Sequence, residues 1–151
     1  MIVNERIMQQ AIFHAQQALN DGEVPIGAVL VNSEGQELAF GYNQSIKRSD
    51  PTAHAEIQCL RLACTALQNY RLPDGCCLYV TLEPCVMCMG ALLHARLSNI
   101  VIATRDTRKN SIHRDINLFQ SSYFNHKINA FYGCLENEAK ELLNKFFMER
   151  R

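Results

Sequence analysis

Two short motifs in this chain bring together the residue types that zinc enzymes use. One is His54-Ala55-Glu56, and the other is Pro84-Cys85-Val86-Met87-Cys88. Zinc prefers thiolate and imidazole ligands, and a catalytic zinc site keeps three protein ligands and one open position for water. Cys85 and Cys88 are three positions apart, so near a helix start their sulfurs point the same way and the thiolate form is favoured. His54 would complete the triad if two helix starts converge, and Glu56 would reach the water without binding the metal.

Each motif has a simpler interpretation when it is taken alone. A lone C-x-x-C is equally compatible with a redox pair or with half of a structural zinc site. A lone His-x-Glu usually consists of two exposed polar residues with no role in catalysis. A structural site needs a fourth ligand, which Cys76 and Cys77 do not easily supply because adjacent strand residues face opposite sides. The remaining cysteines fall in apolar patterns and are predicted to be core residues: Cys59, Cys64 and Cys134. The joint spacing of the two motifs favours the catalytic interpretation.

Alternating helices and strands would place these motifs at element ends. Apolar spacing predicts helices over residues 5–20, 54–67, 85–97 and 136–151. Short apolar or alternating runs predict strands within residues 24–32, 37–43, 76–82, 99–104 and 127–133, with a hairpin between the first two. We also predict a loop over 105–117 and a short helix within 116–124. The pattern indicates an α/β domain with helices covering a mixed sheet, and it leaves the strand order open.

Length and composition restrict the class of protein. The chain has 151 residues, and we expect one domain spanning 1–151. Fifteen basic and fifteen acidic side chains cancel, so bulk charge gives no sign of a nucleic-acid or membrane partner. The chain contains no apolar window of membrane-spanning length, and residues 1–10 lack the apolar core of a signal peptide. We therefore expect a cytoplasmic protein whose seven cysteines are core residues or metal ligands.

The H-x-E and P-C-x-x-C pair is the pattern of the zinc deaminases. More specific segments extend the resemblance over nearly the whole chain: DGEVPIGAVLV, DPTAHAEI, QNYRL, LYVTLEPCVMCMGALLHARL, Arg105-Asp106, Asn125-His126 and FFMERR. On these segments the chain resembles the bacterial tRNA adenosine deaminases of the cytidine/deoxycytidylate deaminase superfamily. The resemblance implies a three-layer α/β/α fold with a five-stranded mixed sheet, and a homodimer.

The resemblance also implies roles for individual residues. It implies one Zn²⁺ per chain held by His54, Cys85 and Cys88, with Glu56 as the proton shuttle. Asn43 matches a position that contacts the target nucleoside, and Asp106 matches one at the mouth of the pocket. The implied reaction converts the wobble adenosine of a tRNA anticodon stem-loop to inosine and releases ammonia.

The run after Arg105-Asp106 departs from the family pattern. Related chains usually carry a small, glycine-containing stretch resembling K-T-G-A-A-G-S, whereas this chain has the bulkier run 108–114, Arg-Lys-Asn-Ser-Ile-His-Arg. Local positive charge at Arg105, Arg108, Lys109 and Arg114 predicts contacts with RNA phosphates.

Two other functions remain open at this point. The same zinc motif would serve a deaminase of a free nucleobase or nucleoside, such as guanine or cytosine. It would also suit a non-catalytic zinc-stabilised interaction module, although that module needs neither Glu56 nor an open ligand position. An RNA enzyme needs an open pocket with a cationic rim, and a free-base enzyme should close over its substrate.

Overall fold

A computed structural model describes residues 1–106 and 117–150, and its helices confirm the four predicted from apolar spacing. They are α1 (Glu5–Asn20), α2 (Ala55–Leu67), α3 (Val86–His94) and α4 (Glu136–Glu149). The short helix predicted within 116–124 is the 3₁₀ turn Leu118–Gln120. Of the loop predicted over 105–117, residues 107–116 lie outside the described part of the chain.

The five strands form one mixed sheet, as predicted. They are β1 (Gly27–Val31), β2 (Glu37–Tyr42), β3 (Cys77–Leu82), β4 (Asn99–Thr104) and β5 (Asn129–Tyr132). The strand order is β2-β1-β3-β4-β5. β1 pairs antiparallel with both β2 and β3, whereas β3, β4 and β5 are parallel to one another.

Helices cover both faces of the sheet, which confirms the three-layer α/β/α arrangement. On one face, Cys59 of α2 and Leu92 of α3 pack with Leu78 of β3 in a buried cluster. On the other face, Met8 of α1 and Ala139 of α4 pack in a second cluster with residues of β1, β3 and β4. Because β1, β3 and β4 are apolar on both faces, the sheet is buried between the two helical layers.

The predicted core cysteines join these two clusters. Cys59 is fully buried, and Cys64 and Cys134 are partly buried against the cluster on their own face. All seven cysteines lie among the described residues, and none forms a disulfide. Within residues 1–106 and 117–150, no helix has the length and apolar character needed to cross a bilayer.

Strand direction brings several chain segments to one end of the sheet. β2, β3, β4 and β5 all run the same way, because β2 and β3 are both antiparallel to β1. Their last residues therefore lie at the same end as Gly27, the first residue of β1, which pairs with Tyr42. Ligands of α/β sheets commonly bind beyond the carboxyl ends of the parallel strands.

Two glycines let helices approach this end of the sheet closely. A Cβ on Gly27 would lie 2.0 Å from the Ala11 carbonyl oxygen of α1. A Cβ on Gly41 would lie 2.3 Å from the Ala55 carbonyl oxygen, at the first residue of α2. Since backbone atoms cannot move away as a flexible side chain can, both positions require glycine.

We expect Gly41→Ala to displace the start of α2 and to destabilise the protein by about 1–3 kcal/mol, the usual cost of overpacking. Thermal unfolding of the zinc-loaded protein measures this loss. The matched control is Gly90→Ala in α3, where an added Cβ meets no atom within 4 Å. There we expect unchanged or slightly higher stability, since alanine is the better helix former. Equal unfolding temperatures for the two variants would contradict the close approach of α2.

Candidate active site

Two helix starts bring the three predicted metal ligands together. His54 is the N-cap of α2, Cys85 is the N-cap of α3, and Cys88 lies in the first turn of α3. The His54 Nδ1 atom lies 3.6 Å from each of the two sulfurs. All three candidate ligand atoms lie within 4.8 Å of one another. The convergence expected from the sequence is therefore present.

The geometry of this cluster fits zinc. With Zn–S near 2.3 Å and Zn–N near 2.0–2.1 Å, tetrahedral coordination separates a ligand nitrogen from a ligand sulfur by about 3.5–3.6 Å. The observed separation of 3.6 Å matches this value for both cysteines. The cluster supplies three ligands, so a tetrahedral ion would keep one position for water. None of the five remaining cysteines, and none of the other described acidic and histidine residues, joins the group.

The electrostatics of the cluster also suit a cation. A hydrogen bond with Cys88 lowers the pKa of Cys85 to about 4, and a second with His54 acts in the same direction. The Cys88 backbone amide, at the start of α3, lowers it further. The pKa of Cys88 is raised, because the same pair of thiols shares a proton and because the sulfur is buried. A bound divalent cation favours the thiolate form of both sulfurs.

Glu56 lies beside the cluster without being one of its ligands. It is in the first turn of α2, and only 3% of it is exposed. Burial raises the pKa of its carboxyl group to about 7. A hydrogen bond with the Cys88 thiol places this carboxyl next to the sulfur cluster. The arrangement puts a proton-carrying group, shielded from bulk water, beside the candidate metal position.

A cavity of about 470 Å³ opens beside His54. Its walls come from segments at the carboxyl ends of β2, β3 and β4 and before β1, together with one side of α4. The lining residues are Val24, Ile26, Asn43, Leu82, Thr104, Arg105, Asp106, Leu143, Asn144 and Phe147. This volume lies in the usual range for small-molecule sites, which is about 300–1,000 Å³. The cavity can therefore admit one nucleobase or nucleoside.

Asn43 lies directly after β2 and lines the cavity, as its predicted role requires. Only 7% of the residue is exposed. Its Nδ2 group donates to the Val24 carbonyl at 3.5 Å, and its Oδ1 atom accepts from the Ser45 hydroxyl at 3.0 Å. These contacts hold the carboxamide in one orientation.

Arg105 and Asp106 lie at the end of β4 and line the same cavity. The Asp106 backbone amide donates to Glu83 Oε1 at 3.0 Å. The Arg105 guanidinium lies over the Tyr132 ring, 3.8 Å from the ring centroid, in cation–π geometry. Among the described lining residues Arg105 is the sole lysine or arginine. Arg108, Lys109 and Arg114 lie outside the described residues.

Two buried glutamates and the side of α4 that lines the cavity are features of the site that the sequence did not reveal. Glu23 and Glu83 are each no more than 3% exposed, and each accepts hydrogen bonds from the backbone of a loop at the cavity. Both glutamates lie in segments that resemble the deaminase family, DGEVPIG and TLEPC. That resemblance was the only indication in the sequence that they have a role. Leu143 and Phe147 of α4 belong to the apolar stripe of that helix, but spacing alone does not reveal that part of the stripe lines a cavity.

Comparison with known proteins identifies similar chains. A family model for the cytidine and deoxycytidylate deaminase zinc-binding region matches residues 1–104. The tRNA-specific adenosine deaminase of Haemophilus influenzae is 42% identical over 148 residues, which cover 98% of this chain and 85% of that protein. A solved structure from studies of A-to-I editing by tRNA deaminases at the wobble position superposes with a TM-score of 0.86. It is 38% identical, and the match covers 93% of this chain and 100% of that one.

A guanine deaminase is also similar to this chain. The solved enzyme from Bacillus subtilis is 39% identical and superposes with a TM-score of 0.65. That match covers 70% of this chain and 67% of the other. It is less extensive than the match to the tRNA-editing structure.

Proposed function

Because this chain belongs to the cytidine and deoxycytidylate deaminase family, and within it to the tRNA-specific adenosine deaminases, we propose that it converts the wobble adenosine of a tRNA anticodon to inosine. The observation that carries the chemistry is the buried Glu56 carboxyl beside the His54, Cys85 and Cys88 cluster, at a cavity of nucleoside size. The choice of substrate is supported by the 42% sequence identity to a tRNA-specific adenosine deaminase, which extends over 98% of this chain.

His54, Cys85 and Cys88 would hold the zinc in this proposal. Zinc held there would act as a Lewis acid that lowers the pKa of water from 15.7 toward about 7. The reaction consumes adenosine and water and yields inosine and ammonia. The oxygen of water bonds to C6 of the adenine ring, and the bond from C6 to the amino nitrogen breaks.

Glu56 would move the protons in both halves of this reaction. Its carboxylate takes a proton from the attacking water and delivers it to a ring nitrogen, which makes C6 more electrophilic. It next takes the remaining water proton from the new C6 hydroxyl group and passes it to the amino nitrogen, which leaves as ammonia. One carboxyl group therefore serves as general base and then as general acid, which is possible because burial keeps competing bulk water away from it.

Other residues would contact the substrate in this proposal. Asn43 and Asp106 would contact the target nucleoside, and Arg105, Arg108 and Lys109 would contact the phosphates of the anticodon loop. We further propose that residues 1–151 act as one deaminase domain, that the active form is a homodimer, and that it works in the cytoplasm, where tRNA is processed.

A free-base deaminase is the second candidate. Two observations favour it: the similarity to a guanine deaminase, and the bulkier run 108–114 where related RNA enzymes carry glycine.

The two candidates differ in the substrates from which they would release ammonia. We expect release from an anticodon stem-loop with adenosine at the wobble position, and none above background from guanine, cytosine or free adenosine. Release from a free base alone would replace the first proposal with the second.

Salt dependence tests the proposed phosphate contacts. Each contact to a single-stranded segment releases roughly 0.7 counterion, so removing two contacts should flatten the slope of log affinity against log salt by about one to two units. We expect this result for an Arg108→Ala, Lys109→Ala double variant titrated with the stem-loop at several salt concentrations, with zinc content unchanged.

The charge-matched control removes two cations whose structural contacts are known. Arg61 pairs with Asp50 at 3.4 Å, and Lys140 pairs with Glu136 at 2.9 Å. An Arg61→Ala, Lys140→Ala variant should keep the wild-type slope. If both double variants changed the slope equally, net charge rather than specific phosphate contact would explain the binding.

A further inference from the structure

Glu23 is a buried carboxylate with two specific backbone partners. Only 1% of the residue is exposed. Its Oε1 atom accepts from the Ile46 amide at 3.1 Å, and its Oε2 atom accepts from the Lys47 amide at 2.9 Å. A buried charge is tolerated when such hydrogen bonds satisfy it, and bonds to an ionised group are stronger than neutral ones. The carboxylate therefore fixes the loop that follows β2.

Asn43 lies between the two segments that Glu23 joins. Its Nδ2 group donates to the carbonyl of Val24, the neighbour of Glu23, at 3.5 Å. Its Oδ1 atom accepts from the hydroxyl of Ser45, the neighbour of Ile46, at 3.0 Å. Its backbone amide donates to the Ile26 carbonyl at 3.1 Å. Both anchors of the Asn43 carboxamide therefore belong to segments whose separation is set by Glu23.

We propose that Glu23 is a positioning residue for the substrate, because it clamps residues 44–47 onto residues 23–26 and thereby orients the Asn43 carboxamide toward the cavity. With Oδ1 turned toward Ser45 and one N–H of Nδ2 turned toward Val24, the second N–H of Nδ2 is the part of Asn43 offered to the nucleoside. This inference rests on the proposed function for the role of Asn43, and the clamp itself is independent of the substrate.

The chemistry of the clamp requires a carboxylate of this length. In Glu23→Gln one oxygen is replaced by an NH₂ group, so a donor would face a backbone donor. In Glu23→Asp the charge is kept, but the shorter side chain cannot reach both amides without movement of the loop. Asp21 provides a matched control, since it lies two residues away and approaches the same loop only through the Lys47 ammonium at 4.0 Å.

Amide hydrogen exchange of the zinc-loaded protein tests the clamp without any substrate. We expect Glu23→Gln to speed exchange at the Ile46 and Lys47 amides by at least about tenfold, because exchange requires these hydrogen bonds to open. Glu23→Asp should give an intermediate rate and serves as the second variant if the glutamine variant folds poorly. Asp21→Asn should leave both rates unchanged. Wild-type exchange rates in the folded Glu23 variants would overturn the proposal.

A double-mutant cycle then tests whether the clamp acts through Asn43. Misplacement of a substrate-contacting group by about 1 Å can cost about 10²-fold in rate. We expect Glu23→Gln to lower kcat/KM by about 10- to 100-fold in the wild-type background and to cause no further loss in Asn43→Ala, since residues coupled through one hydrogen-bond network and a shared backbone shift are non-additive. If the losses in kcat/KM of the two single variants multiplied in the double variant, the role of Glu23 would be merely structural. If the wild-type protein deaminated no RNA, the proposed function would fail, and the exchange result would still decide the clamp.

Discussion

Replacing Glu56 with alanine should lower the rate of deamination by about 10²–10⁴-fold, the usual contribution of a general acid–base group. The carboxyl is buried beside the cysteine pair, and it is not one of the three ligand-bearing side chains. The variant should therefore bind zinc at the wild-type level, because loss of the carboxyl group removes the proton carrier and leaves the three candidate ligands intact. Single-turnover ammonia release, with zinc measured by elemental analysis on the same sample, gives both quantities.

A matched control for this variant is Glu34→Ala, which removes an exposed glutamate in the turn between β1 and β2. It should retain full activity. Near-normal deamination by Glu56→Ala would show that another group moves the proton. Loss of zinc from Glu56→Ala would show instead that this carboxyl supports the metal site.

The double variant Cys85→Ser, Cys88→Ser should lose both the metal and the activity. Two of the three candidate ligands disappear, and a serine hydroxyl is a poor substitute for a thiolate. Wild-type protein purified without added metal should contain about one zinc per chain, and the variant should contain almost none. Its deamination rate should fall at least as far as that of Glu56→Ala, since both the Lewis acid and the order of the site are lost.

Two other cysteines supply the control for this experiment. Cys64 and Cys134 are partly buried thiols outside the cluster. A Cys64→Ser, Cys134→Ser variant removes the same number of thiols and should keep its zinc. Zinc retained by the Cys85, Cys88 variant at the wild-type level would overturn the assignment of the ligands.

The sequence predicted the helices and strands well because their apolar residues recur with a clear helical or strand periodicity. The helix over residues 5–20 and the strand over 99–104 have the predicted bounds in the structure. The cluster that could hold a metal ion was also predictable, since Cys85 and Cys88 lie within one turn and need only one distant partner. His54 supplies that partner because α2 and α3 start at the same end of the sheet.

Contacts between distant segments were not predictable from spacing. Arg105 was predicted from its charge to contact phosphate, and the structure adds a contact with the Tyr132 ring. That contact depends on the parallel pairing of β4 with β5, which local patterns leave open. The wall formed by Leu143 and Phe147 likewise depends on where α4 packs. Such features follow from topology rather than from residue types at fixed offsets.

Mass spectrometry of one tRNA substrate in heavy-oxygen water tests the proposed wobble deamination without an indirect readout. The zinc-loaded wild-type protein is incubated with a tRNA carrying adenosine at the wobble position, and each nucleoside of the anticodon loop is then identified. We predict inosine at the wobble position alone, with the heavy oxygen on its C6 and one ammonia released per inosine. An unchanged wobble adenosine, together with ammonia release from free guanine, would show that this chain is not a tRNA adenosine deaminase.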